Sequence, residues 1–209
     1  RPDVAVGTRR ERDRSARMRT FRRGDVLVAQ GRESQVVLLL DGFGAIRRGS
    51  REGKQLLLFV ASAGEFLCVN AVTFAESPFD LTCLTDGTAA TWSGRQIREL
   101  AADDPAFGLW LLDRAVAIGL QVTARVDTLA FLDARRRLLR AFAEHGDLVF
   151  DRRQPVISRS DLPALVGTSR EMVARCLRHF EAEGIVARIG RTGLVLRDAD
   201  RLRQETERA

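Results

Sequence analysis

The 209-residue sequence predicts an α+β protein: a β-rich N-terminal half, one long helix, and a small helical domain that ends in a β-wing. Three observations carry that prediction. Short apolar runs punctuated by glycine or polar turns fill residues 19–98. An apolar seam with 4-3-4-3-4 spacing follows, from Leu112 to Ala130. A basic segment comes last, in which two helical stretches flank a glycine turn.

In the first region the runs are Val26–Ala29, Val36–Leu40, Gln55–Val60 and Leu81–Leu84. Turn residues separate them at Gly24-Asp25, Gly31, Asp41-Gly42, Gly49–Gly53 and Asp86-Gly87. Many short strands at this spacing close into a roll or barrel. From Pro105 to Leu132 the period changes. Leu112, Val116, Gly119, Thr123, Val126 and Ala130 follow the seam of a two-stranded coiled coil, with Asp113, Arg114, Arg125 and Asp127 outside it. A long helix with one narrow seam is expected to bury it against a partner helix, here its own copy; the alternative is packing on its own sheet. Thr123 is the polar residue on the seam, able to set register or to touch a ligand.

A break is expected at Phe131-Leu132-Asp133. Asp133 can cap the helix "ARRRLLRAFAEH", whose stripe is Leu138, Leu139 and Phe142 and which Gly146 should end. Two further helices meet at Val166-Gly167-Thr168. Ser158 or Ser160 can cap the first, and Pro163 favours Ser160, since proline at the third helical position loses no internal bond. Thr168 and Glu171 have the spacing of a capping box for the second. That helix should bury Val173, Leu177 and Phe180, with Met172 and Cys176 flanking. Ser169, Arg170, Ala174, Arg175 and Arg178 lie off the stripe. "GIVARIGRTGLVLRD" reads as two strands around a Gly190–Gly193 turn. The expected domains are 1–104, 105–133 and 134–209.

Composition bounds the function. Apolar residues make 45% and charged residues 30%, as in a soluble globular protein. No run of about 18 apolar residues occurs, so no membrane span is expected. The sequence starts at Arg1 rather than Met and shows no signal peptide, so the native N-terminus is expected upstream. Three dispersed cysteines, Cys68, Cys83 and Cys176, suit a reducing cytoplasm. The net charge of +6 is localised. Residues 134–197 hold 13 Arg against 7 Asp and Glu, which leaves 21 basic and 21 acidic residues elsewhere. A concentrated basic field is what a phosphate backbone selects, although a solvated basic surface has the same charge. Enzyme chemistry is not expected. Both histidines, His145 and His179, lie in the basic domain, and no H-x-x-x-H, C-x-x-C or phosphate-loop spacing occurs. No metal site and no cofactor is expected.

A helix–turn–helix places its second helix in the major groove, with the first turn at the base edges. Arg suits guanine and Glu accepts from cytosine N4. The stretch "GTSREMVARCLRHFEAEGIVARIGRTGLVL" resembles the winged helix–turn–helix of the CRP/FNR family of bacterial transcription regulators. The match is Ser169, Arg170, Glu171 and Arg175. The resemblance extends through "LQVTARVDTLAFLDARRRLL", similar to the family's dimerisation helix and hinge. It also covers "FRRGDVLVAQGRESQVVLLLDGFGAI" and "GEFL", similar to its jelly-roll sensor domain of the cyclic-nucleotide-binding type.

The resemblance implies a cytoplasmic homodimer, joined through helix 105–132, on an inverted repeat of double-stranded DNA. RNA polymerase is an implied partner. Arg170, Glu171 and Arg175 would read half-sites like TGTGA. Ser158, Arg159, Thr168, Ser169 and Arg191 would meet phosphates. Some members bind cyclic AMP in the roll through an Arg-Ser or Arg-Thr pair. Phe79-Asp80 stands there in this sequence, and an aspartate repels a phosphate, so a cyclic nucleotide is not the expected effector. Cysteine count excludes an iron–sulfur cluster. Cys68 matches a heme ligand of one branch, but Asn70 replaces that branch's histidine. The effector pocket is expected among Gly64, Glu65, Cys68, Phe79, Asp80 and Thr123. The alternatives are a cyclic-nucleotide sensor module whose output is not DNA binding, and a protein–protein adaptor.

Overall fold

The computed structural model describes residues 15–150 and 154–208. The chain forms two compact units. One runs to Gly49 and resumes over Phe59–Thr123; the other joins Ser50–Leu58 to the chain from Ala124 onward.

Eight strands make the roll, with the start of β5 falling in the second unit: β1 (Arg17–Phe21), β2 (Val26–Val28), β3 (Gln35–Asp41), β4 (Phe43–Gly49), β5 (Gln55–Ser62), β6 (Phe66–Leu67), β7 (Asp80–Cys83) and β8 (Gly87–Ser93). They form two four-stranded sheets, ordered β1-β8-β3-β6 and β2-β7-β4-β5. Register is antiparallel where Val36 faces Trp92 and where Ala45 faces Thr82. Leu39 of β3 and Leu81 of the other sheet both approach Gly44, so the inner faces share a core. Val36 points into a second core with Phe66, Trp92, Ile97, Phe107 and Leu111. Its aromatic rings interlock, Phe66 lying 5.7 Å from Trp92 and 5.3 Å from Trp110.

Strand structure ends earlier than the sequence reading placed it. Helix α1 occupies Gly94–Asp103. The reason is local: the Ser93 hydroxyl accepts the Gln96 amide, and the Gln96 side chain accepts the Ser93 amide. This capping box satisfies two of the amides that a helix start leaves open.

Helix α2 spans Pro105–Phe131. Its first turns bury Phe107 and Leu111; its seam is then exposed, with Leu112 at 60%, Val116 at 56% and Val126 at 56%. By length and composition alone α2 is long and apolar enough to cross a membrane.

In the second unit α3 (Ala134–Val149) is capped by Asp133, which accepts the Arg136 amide. Leu138, Leu139 and Phe142 are buried as expected. Regular helix breaks at His145, one residue before the expected end at Gly146. The backbone bends at His145 and continues to Val149. Burial of Val149, and the Phe150 ring 5.1 Å from Phe142, favour that extra turn. Then come α4 (Leu162–Val166), α5 (Arg170–Ala182), the wing strands β9 (Val186–Ile189) and β10 (Gly193–Leu196), and α6 (Ala199–Glu207). The wing strands pair antiparallel around Gly190.

Candidate nucleic-acid interface

The turn between α4 and α5 is set by Gly167, which adopts the left-handed conformation at φ +69° and closes α4. The start of α4 is not capped by Ser160. Ser158 and Asp161 hold it: the Ser158 amide and hydroxyl both donate to Asp161 Oδ2, at 3.0 and 2.6 Å. Pro163 then falls in the first turn, where its missing N–H costs nothing. Ser158 is only 6% exposed and its hydroxyl is also 2.6 Å from Ser160 Oγ, so it serves the fold and not a phosphate.

The cap of α5 lies one residue later than the expected Thr168. Ser169 accepts the Met172 amide at 3.2 Å. Glu171 therefore sits in the first turn, and it is fully exposed. Its own amide and the Ser169 hydroxyl hold its carboxyl below the usual range, so it stays ionised as an acceptor. Val173, Cys176, Leu177 and Phe180 are buried, which puts Cys176 on the stripe rather than beside it. Ser169, Arg170, Glu171, Arg175 and Arg178 all lie on the exposed side. Thr168 is half-buried at the turn.

Ion pairing divides the cations of this unit. Arg135 is bound by Glu205 and Glu183, at 2.7 and 3.4 Å, and lies over the Phe180 ring. Arg140 pairs with Glu144 and Arg188 with Glu181, both at 2.6 Å. Arg170, Arg175, Arg178 and Arg191 have no ion pair among the described residues. Arg178 joins Arg170 and Arg175 on the exposed side, as helical spacing places it. Arg159 is a wing clamp. Its guanidinium donates to the carbonyls of Gly190 and Arg191, and its amide to Thr192 O.

The residues expected to line an effector pocket have separate local partners. The Gly64 amide donates to Leu39 O, with Gly64 at φ +87°. Glu65 is consumed twice: Oε1 accepts the Ser62 amide and hydroxyl, and Oε2 accepts Arg114 Nη2 at 3.2 Å. Cys68 is buried, at φ +58°, and burial pushes its thiol up to about 12. Phe79 accepts the Ser77 hydroxyl through its carbonyl. Asp80 Oδ1 accepts the Gln30 amide at 2.7 Å. The Thr123 hydroxyl donates to Gly119 O on the exposed seam.

Residues 135–205 match the Crp-like helix-turn-helix domain. The cAMP-activated global transcriptional regulator CRP of Haemophilus influenzae is 30% identical over 152 residues, covering 69% of this chain and 67% of that protein. The chain belongs to the CRP/FNR family. CRP of Salmonella typhimurium is 29% identical over 179 residues, 81% of this chain and 84% of its own. A CRP/FNR-family regulator from Eubacterium rectale shares the fold with a TM-score of 0.82 at 14% identity, over 98% of this chain and 96% of that one. The c-di-GMP responsive regulator CLP of Xanthomonas campestris does so at 0.78 and 23% identity, over 93% and 100%. This CRP/FNR protein is thus a transcription regulator with a helix–turn–helix DNA-binding domain, of a class that binds DNA as dimers and responds to effectors.

Proposed function

We propose that this CRP/FNR regulator is a cytoplasmic homodimer that binds an inverted repeat, with Arg170, Glu171 and Arg175 reading bases. The supporting observation is the exposed face of α5, where Arg170, Arg175 and Arg178 have no ion pair among the described residues and Glu171 is ionised. Arg offers guanine a bidentate fork, and Glu171 accepts from cytosine N4. Ser169 on that face, Thr168 at the turn before it and Arg191 on the wing meet phosphates; Arg159 acts by holding the wing that carries Arg191. The exposed seam of α2 pairs with its copy. Asp113, Arg114, Arg125 and Asp127 lie off the seam, as in a coiled coil rather than a bilayer helix.

The control step is a population shift. An effector bound in the roll and along the seam favours one setting of the hinge at Phe131–Asp133, and so the spacing of the two α5 helices at about 34 Å. The effector of this chain is not cyclic AMP, although its relatives carry that name, because Phe79-Asp80 supplies no cation for a phosphate. RNA polymerase is the partner through which bound dimer alters transcription.

The test is fluorescence anisotropy with a labelled TGTGA-N6-TCACA duplex and a scrambled one, each with and without cyclic AMP. Selective binding that ignores cyclic AMP is expected. Selectivity that requires cyclic AMP would overturn the effector reading. Binding that is equal on both duplexes in every condition would overturn base readout by Arg170, Glu171 and Arg175 at this operator.

A further inference from the structure

Two arginines lie under the turn of the helix–turn–helix without a carboxylate to pair them. Arg125, near the end of α2, donates through its guanidinium to the carbonyl of Leu165 in α4. Arg137, on α3, places Nη1 3.8 Å from where a Cβ on Gly167 would stand. The Nε of each arginine is buried and meets no acceptor among the described residues. Neither side chain has an ion pair among them.

The surroundings do not relieve this charge. Arg140 is committed to Glu144. Burial pushes the nearby His145 towards its neutral form, and Arg125 adds to that shift. Burial and Arg137 both act against the charge on Arg125, and only Glu144 opposes them. Leu56 and Leu129 complete the wall beside Gly167. An unpaired guanidinium in a half-buried, partly apolar site is unfavourable, and two of them repel. Guanidinium is also the group best shaped to grip an oxyanion through several N–H donors at once.

A carboxylate from a second copy is not the natural occupant. With Thr123 and Val126 on the seam, Arg125 falls at an outer heptad position, turned away from a partner helix. A small diffusible anion has no such constraint.

We propose that Arg125 and Arg137 form an oxyanion site at the hinge, which takes inorganic phosphate or the phosphate of a small monoester. Because Arg125 also holds the Leu165 carbonyl, an anion bound there tightens the packing of α4 and its turn. The site is distinct from the α5 face and from the roll, and its binding does not depend on DNA recognition.

The experiment is calorimetric titration of the full chain with inorganic phosphate, without DNA, in chloride buffer at fixed ionic strength. One ion per chain is expected. Arg125→Gln and Arg137→Gln should each weaken it about tenfold or more, the loss expected when a charged donor is removed. The double variant Arg170→Ala/Arg175→Ala should bind as the wild type does. Glycerol 3-phosphate, titrated next, distinguishes the sources. Equal affinity assigns the site to the phosphate group wherever it occurs, and binding of phosphate alone assigns it to the free ion. Melting supplies a second reading: without phosphate, Arg137→Gln should be at least as stable as wild type and should lose any phosphate-dependent rise in Tm. No binding, binding lost only in the α5 double variant, or an Arg137→Gln protein that melts lower without phosphate would each overturn the site.

Discussion

On the exposed face of α5 the cations stand without partners, whereas at the expected effector pocket of the roll the charged groups are used by the fold itself. Arg170, Arg175 and Arg178 form no ion pair among the described residues, while Arg135, Arg140 and Arg188 on other faces of the same unit are paired. In the roll, Glu65 is held by Ser62 and Arg114, and Asp80 by the Gln30 amide. A surface that meets a polyanion must keep its charge available, since each internal ion pair subtracts from the field that the phosphates feel. The carboxylates of the roll instead secure loops. An effector there is recognised by other groups, or by shape.

The largest expected effect tests the premise that both regions work through a dimer. Val116→Glu puts a charge on the seam of α2, where its copy would have to desolvate it. That costs roughly 3–5 kcal/mol, by analogy with a buried charge left unpaired. Sedimentation should then show a monomer, with affinity for a two-half-site duplex down by about 100-fold or more. A monomer that binds the duplex as well as the wild type does would remove α2 from the account.

Next comes the scaffold of the α5 face. Gly167→Ala and Gly184→Ala both force a side chain into left-handed backbone, at φ +69° and +73°, which costs about 1–2 kcal/mol. At Gly184 the new Cβ meets nothing within 4 Å, but at Gly167 it would stand 2.6 Å from Leu129 Cδ2. Overpacking adds about 1–3 kcal/mol. Urea unfolding should rank Gly167→Ala as clearly the worse. Equal losses would mean that the turn yields without strain.

Within the face, Arg170→Ala should cost about 1–3 kcal/mol of DNA binding and relax specificity at one base pair. Arg188→Ala, which removes an arginine already paired with Glu181, should change binding by less than about 0.5 kcal/mol. Anisotropy on specific and scrambled duplexes separates the two. If Arg170→Ala loses equally on both, Arg170 is a phosphate contact.

The helix–turn–helix was legible because its signals are local: an apolar stripe, a glycine at the turn, and arginines off the stripe. Its caps were misread by short steps, since Thr168 and Ser169 are both good caps and adjacent amides compete for them. The glycine at 146 marks the break beside His145, but not the further turn, which Val149 and Phe150 favour by packing inward. Strands β1 and β4 were hidden by their arginines in "RMRTF" and "FGAIRRG". Helix α6 buries only Leu202 and is tied down through Glu205 to Arg135, a contact 70 residues apart in sequence. The partners of Glu65 and Asp80, 49 and 50 residues distant, were equally invisible. Periodicity reports which face is buried. It does not report which distant donor neutralises a given carboxylate, and that pairing decides whether a charge remains to bind anything.

The smallest effect concerns His145, at the bend of α3. Burial lowers its pKa from the ordinary value of 6.5, with the Arg125 charge acting in the same direction. The unfolded chain therefore holds this proton more tightly than the folded one. The stability that neutral His145 contributes is complete above about pH 6.5 and is lost as pH falls from there through the folded pKa. Glu205 acts in the same direction but lower on the scale, because its hydrogen bond with Arg135 depresses a carboxyl already near 4.5. Urea melts of wild type and His145→Gln between pH 7.5 and about 5 should therefore diverge in slope, the variant losing less stability over that range. Parallel slopes would mean that the bend opens enough for solvent to reach the imidazole.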